Sequence, residues 1–160
     1  MEFDELFGIP AHPLLVHAAV VLLPLAAVAI VIVAAVPRAR RHYAPIALVL
    51  AILALGSVGL AQGSGESLEE RVTETQLVDA HASQGESVLP WAIAVAVVAA
   101  AIVGATIFAK QVERVSARTL TAILLVAALI SGAGAVWTVI DVGHSGAKAT
   151  WDDVAGDGGD

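Results

Sequence analysis

Five histidines carry nearly all the coordination chemistry available to this chain. Four of them, His12, His17, His81 and His144, are far apart in sequence yet fall on the same side of four long apolar stretches. Neutral imidazole is the commonest metal ligand and a standard axial ligand of haem iron. Two facing histidines can hold a haem by both axial positions, which closes the iron to substrates and leaves electron transfer as its use. Three or four would suit Zn or Cu(II). The chain has no cysteine, and its one methionine is Met1. Disulfides, cysteine-held iron–sulfur clusters, covalent c-type haem and thioether ligation are therefore excluded. Any metal held by this chain must use imidazole, with carboxylate or water beside it.

His17 sits about one turn inside the first apolar stretch, where an ionisable side chain usually faces the bundle interior. It is the leading candidate ligand, with His81 or His144 as its partner. His12 precedes Pro13, which pushes it away from helical geometry. It can then turn back over the bundle mouth, as an alternative ligand or as a hydrogen-bond donor to a haem propionate. Asp79 and Asp141 are candidate acceptors for the second imidazole nitrogen. The plainer account is that these histidines are amphipathic surface residues on the side with the longer non-spanning segments. His42, between Arg41 and Tyr43, reads as such a residue.

The elements that must position these side chains follow from composition. Of 160 residues, 58% are hydrophobic and only 14% charged, too apolar for an ordinary soluble domain. Pro13–Val36, Ala44–Ala61, Val88–Ala109 and Leu120–Ile140 are each long enough to cross a bilayer and contain no Lys, Arg, Asp or Glu. The fold class is an all-α integral membrane four-helix bundle, up-down-up-down, over residues 1–149. The acidic, Gly-rich tail 150–160 is expected to be disordered. Pro24 should kink the first helix and Pro37 help to end it.

Gly63-Ser64-Gly65 should break the chain after the second helix. Ser67 and Glu70 have capping-box spacing, so a short amphipathic helix is expected over Leu68–Gln84, with Leu77 and Val78 sharing the face of His81. At the start, Glu2, Asp4 and Glu5 oppose a signal peptide, while Phe3, Leu6 and Phe7 suggest a short turn lying on the membrane. Gly56, Ser57 and Gly59 in the second helix, Gly104 in the third, and Ser131, Gly132, Gly134 and Ala135 in the fourth allow close helix packing, or leave room for a flat ligand.

Charge sets the orientation. Arg38, Arg40, Arg41, Lys110, Arg114 and Arg118, six of the eight basic residues, lie in two short loops. The positive-inside rule puts those loops in the cytoplasm and both termini outside. Formal charge is then +5 inside and −12 outside, giving the −7 of the whole chain. Trp91 and Trp137 mark the outer interface, Tyr43 and Phe108 the inner one. Acidic outer segments exclude nucleic acid as a partner. No ionisable residue lies near the midplane, which argues against a pump or transporter.

HPLLVH at the first helix, ETQLVDAH before the third and GHSGA after the fourth together resemble a prokaryotic family of membrane proteins, the domain of unknown function 2231 family. The resemblance spans roughly Ile9 to Trp151. Its motif histidines correspond to His12, His17, His81 and His144. The family pattern usually has an aromatic residue after the second histidine, where this chain has Ala18 and Ala19. Members fused to cytochrome c or Rieske domains imply a redox setting and a bacterial or archaeal cytoplasmic membrane.

The expected function is that of a b-type haem-binding, electron-transferring membrane protein, an electron carrier or binding subunit rather than a stand-alone enzyme. Its partners would be the lipid bilayer and a redox protein on the outer face, with self-association left open. The alternatives are a Zn or Cu(II) module built from the four histidines, and a cofactor-free subunit of a larger membrane complex.

Overall fold

The computed structural model describes residues 5–6, 9–73, 75–108 and 116–156. A two-residue antiparallel pairing of β1 (Glu5–Leu6) with β2 (Ile9–Pro10) precedes five helices. These are α1 (Ala11–Ala35), α2 (Pro37–Glu69), α3 (Gln76–Glu86), α4 (Val88–Ile107) and α5 (Ala117–Gly156). Phe3 and Phe7 of the expected surface turn lie outside the described residues, as do Lys110 and Arg114 of the second basic loop.

The helices form a ring in the order α1, α2, α4, α5, with α1 and α4 also meeting across the middle. On each helix a run of buried positions alternates in steps of four and three. They are Ala19, Leu23, Ala26, Ile30 and Val33 on α1, and Ala44, Ala47, Ala51, Ala54, Val58 and Ala61 on α2. On α4 they are Val88, Ala92, Val95, Ala99 and Ile102, and on α5 Leu124, Ala128, Ser131 and Ala135. Such spacing keeps one seam facing its neighbours in a left-handed bundle. The seam is mostly alanine, which lets backbones approach closely. Gly134 admits the Trp91 indole of α4: a Cβ there would lie 2.3 Å from the ring.

The outward faces carry the bulky residues. Val21, Val97 and Ile130 are each more than 60% exposed in mid-helix. A continuous apolar exterior of this kind is stable against lipid and not against water. Four stretches are long and apolar enough to cross a membrane: α1, α2, α3 continuing into α4, and α5 as far as Trp151. The protein is an all-α membrane bundle.

Several boundaries differ from those expected. Pro37 ends α1, as expected, and also starts α2: the corner is Val36 alone, in extended backbone, because a residue before proline avoids helical angles. The helix then passes through Gly63-Ser64-Gly65 to Glu69, so Ser67 is not a cap; its hydroxyl donates to Gly63 O. The cap of α3 is Thr75, whose Oγ1 accepts from the Val78 N–H at 3.2 Å. The short helix therefore covers Gln76–Glu86 and leads through Ser87 alone into α4. The break falls where Pro90 has no N–H for the Glu86 carbonyl. Leu77, Val78 and His81 do share its half-buried face. α5 continues past Ile140, so the stretch read as a tail is helical to Gly156, and 157–160 lie outside the described residues. α3 lies along this extension and more lightly on α2.

Candidate imidazole site at one end of the bundle

His12 opens α1 and is half-buried against the far end of α2. Contrary to expectation it stays helical. Its Nδ1 lies 3.0 Å from Ala61 O and 3.1 Å from Ser64 Oγ. A carbonyl has no proton to give, so Nδ1 carries the hydrogen and donates it. Ser64 in turn donates its own proton to Ala61 O at 3.0 Å. The ring lies over Gly65, where a Cβ would come within 3.0 Å of Cε1.

His81, on α3, meets α5 in the same manner. Its Nδ1 lies 3.1 Å from Ser145 Oγ, and Ser145 donates to Val142 O at 3.0 Å. With Ser145 donating to Val142 O, its lone pair is available to accept from Nδ1–H. The ring lies over Gly146, where a Cβ would come within 2.8 Å of Cε1. Each histidine thus meets a Ser-Gly pair on a neighbouring helix: the serine holds Nδ1, and the glycine makes room for the ring.

Two consequences follow. A hydrogen held on Nδ1 leaves the Nε2 lone pair as the atom able to accept or to coordinate in both rings. The two bonds also tie helices together, α1 to α2 at His12 and α3 to α5 at His81. Gln84, one turn after His81, adds a third acceptor: its Oε1 is buried without a hydrogen-bond partner among the described residues. Nearby, Gln62 Nε2 donates to Gly85 O at 3.0 Å and ties α2 to α3.

The other candidates lie elsewhere. His17 is exposed on α1 beside the exposed Leu14, Val20 and Val21. Its Nδ1 bonds to Pro13 O of its own helix. The expectation that it points into the bundle mouth is therefore corrected: it lies on the bulky, lipid-facing side of α1. His144 is exposed on α5, in an open-sided groove with Trp137, Ile140 and Asp141. His42 is exposed beside Tyr43. Among the described residues no three His, Asp or Glu side chains gather as a metal site. Asp79 and Asp141 are both exposed, and the acceptors that serve the imidazoles are hydroxyls and a carbonyl instead of carboxylates.

Sequence reasoning missed Ser64, Ser145 and Gln84. The repeated Ser-Gly pair near the ends of α2 and α5 was the available signal. It also missed Arg40, which is 8% exposed and not a loop residue. Arg40 donates from Nη2 to Ala34 O at 2.6 Å and to Thr121 Oγ1 at 3.2 Å, and from Nε to Val33 O at 3.3 Å. Pro37 has no N–H for Val33 O, and the guanidinium takes its place.

No curated protein and no solved structure matches the chain. A family model described as a predicted membrane protein does match, over residues 8–158, which takes in both imidazoles and all five helices. The chain belongs to that family, DUF2231.

Proposed function

We propose that the imidazoles of His12 and His81 would hold a b-type haem, and that the protein passes electrons at the outer face of a bacterial or archaeal cytoplasmic membrane. The observation that carries this reading is the matched state of the two rings, each giving Nδ1–H to a serine hydroxyl and keeping Nε2 free. Two such donors suit an iron whose other four ligands come from a porphyrin. They are too few for the closed tetrahedral site that structural zinc prefers. The glycines beneath the rings and the unpartnered Gln84 oxygen are consistent with a group bound between these helices. A haem held there supplies reversible one-electron transfer at its iron. The serines would fix ring orientation and strengthen Nε2 as a donor, and the packed helices would exclude water.

The experiment is the absorption spectrum of the detergent-purified protein made with ample haem. A Soret band that shifts on reduction is expected in wild type, lost in His12→Ala and His81→Ala, and retained in His17→Ala and His42→Ala. No band in the wild type ends the haem reading. Retention in both His12→Ala and His81→Ala would move the site elsewhere.

Both termini outside is the orientation that accompanies this function, and the chain's lack of cysteine makes it easy to test. A cysteine at Ser83, exposed on α3, should react with an impermeant maleimide in intact cells, and one at Ser116 should not. The reverse pattern would invert the protein.

A further inference from the structure

One face of α5 carries Trp137, Ile140, Asp141 and His144, spaced to line a single groove of about 190 Å³. It is turned away from the bundle: Trp137 is 70% and Ile140 62% exposed. The groove straddles the end of the fourth apolar stretch. Its indole and isoleucine belong to the hydrocarbon side, its carboxylate and imidazole to the polar side. Among the described residues, Trp137, Asp141 and His144 have no hydrogen-bond or ionic partner. Interfacial anchoring accounts for an exposed tryptophan. Asp141 and His144 lie exposed beside it, one turn apart on the same face.

The same turn of helix also touches the imidazole site. Ser145 holds His81 Nδ1, and Gly146 lies under its ring. Gly146 is two residues from His144, about 200° around the helix, hence on its opposite side. One helix thickness therefore separates a groove open to lipid from the proposed electron-transfer site.

We infer that this groove binds the headgroup of a lipid-soluble quinone or its hydroquinone. Such a ligand arrives from within the bilayer, lays a flat ring on Trp137 and leaves its hydrocarbon tail along Ile140. Asp141 accepts a hydrogen bond from a hydroquinone hydroxyl. His144 donates to a quinone carbonyl or accepts from a hydroxyl, and the Trp137 N–H is a further donor. A phosphate headgroup would meet the Asp141 carboxylate, like charge against like, but also Lys148 one turn beyond His144, so the titration must separate lipid from quinone. The inference takes its redox meaning from the electron-transfer reading, but its binding chemistry belongs to the groove alone.

The test uses the full chain in lipid nanodiscs, titrated with a decyl-tailed benzoquinone while tryptophan fluorescence is followed. Saturable quenching is expected, largely lost in Trp137→Phe and kept in Trp151→Phe. In the double variant Asp141→Asn/His144→Ala the apparent Kd should rise about tenfold, as loss of a hydrogen bond to a charged group implies. Quenching that is linear in quinone, or equal in wild type and the double variant, overturns the site. So does equal displacement by phosphatidylethanolamine, which would make it a lipid groove. The two readings fail separately: saturable quenching by wild-type protein that shows no Soret band would keep the groove after the haem reading had failed, whereas His12→Ala, which should lose the band, should keep the quenching.

Discussion

The two ends of the bundle use buried polar groups in opposite ways. At the arginine end, Arg40 spends its donors on acceptors that the chain itself orphaned, the last carbonyls of α1, and on Thr121 of α5. At the histidine end, His12 and His81 are held by their Nδ1 atoms while both Nε2 lone pairs and the Gln84 oxygen have no donor among the described residues. A closed account of donors and acceptors serves stability. Acceptors held in place without donors are the arrangement expected where something electropositive binds. Mutation should separate the two ends by what each change damages.

The largest effect on folding belongs to Arg40. Arg40→Ala would leave the Val33 and Ala34 carbonyls buried and unpaired, at about 3 kcal/mol of stability. Arg40→Lys should recover little, because one ammonium cannot reproduce the fork that reaches α1 and α5 together. Reversible unfolding in mixed micelles, followed by circular dichroism, measures both. His12→Ala should cost about 1 kcal/mol in the same assay, since Ala61 and Ser64 stay paired within α2. Equal losses at the two ends would abolish the distinction.

Gly134→Ala ranks next. Its Cβ would overlap the Trp91 ring, so the indole or the α4–α5 spacing must shift, at about 1–3 kcal/mol. Gly104→Ala is the control, with open space at its Cβ position, and should be close to neutral.

These contrasts mark what the sequence let one read. The four spans were legible because nothing but a bilayer suits runs of apolar residues that long. Which way His17 faced was harder. α1 is apolar all round, and in lipid the inward side is distinguished by smallness instead of hydrophobicity. The bulky Leu14, Val20 and Val21 around His17 were the clue to its outward position. The alternating alanines of α2 were not read as a seam, although their register continues to Arg40; Gly56 and Gly59, expected to allow close packing, face open space. The far end of α5 was misread because polar, Gly-containing sequence is a poor helix former alone. Contact with α3 supplies what local propensity lacks.

The finest contrast lies within the histidine end. His12 Nδ1–H has two acceptors, Ala61 O and Ser64 Oγ, whereas His81 has Ser145 alone. Ser64→Ala leaves the carbonyl in place, so the His12 tautomer should persist. Ser145→Ala removes the one acceptor shown for His81, freeing the ring to rotate or to carry its hydrogen on Nε2. If Nε2 is the ligating atom, Ser145→Ala should weaken haem retention about tenfold, the lower range for loss of an outer-shell partner. Ser64→Ala should change it less than Ser145→Ala does. Nitrogen-15 NMR of labelled imidazoles reads the tautomers directly, and haem transfer to apomyoglobin reads retention. Equal effects of the two serines would mean that hydrogen bonding to Nδ1 does not govern either ring, and would leave ring packing on Gly65 and Gly146 as what positions them.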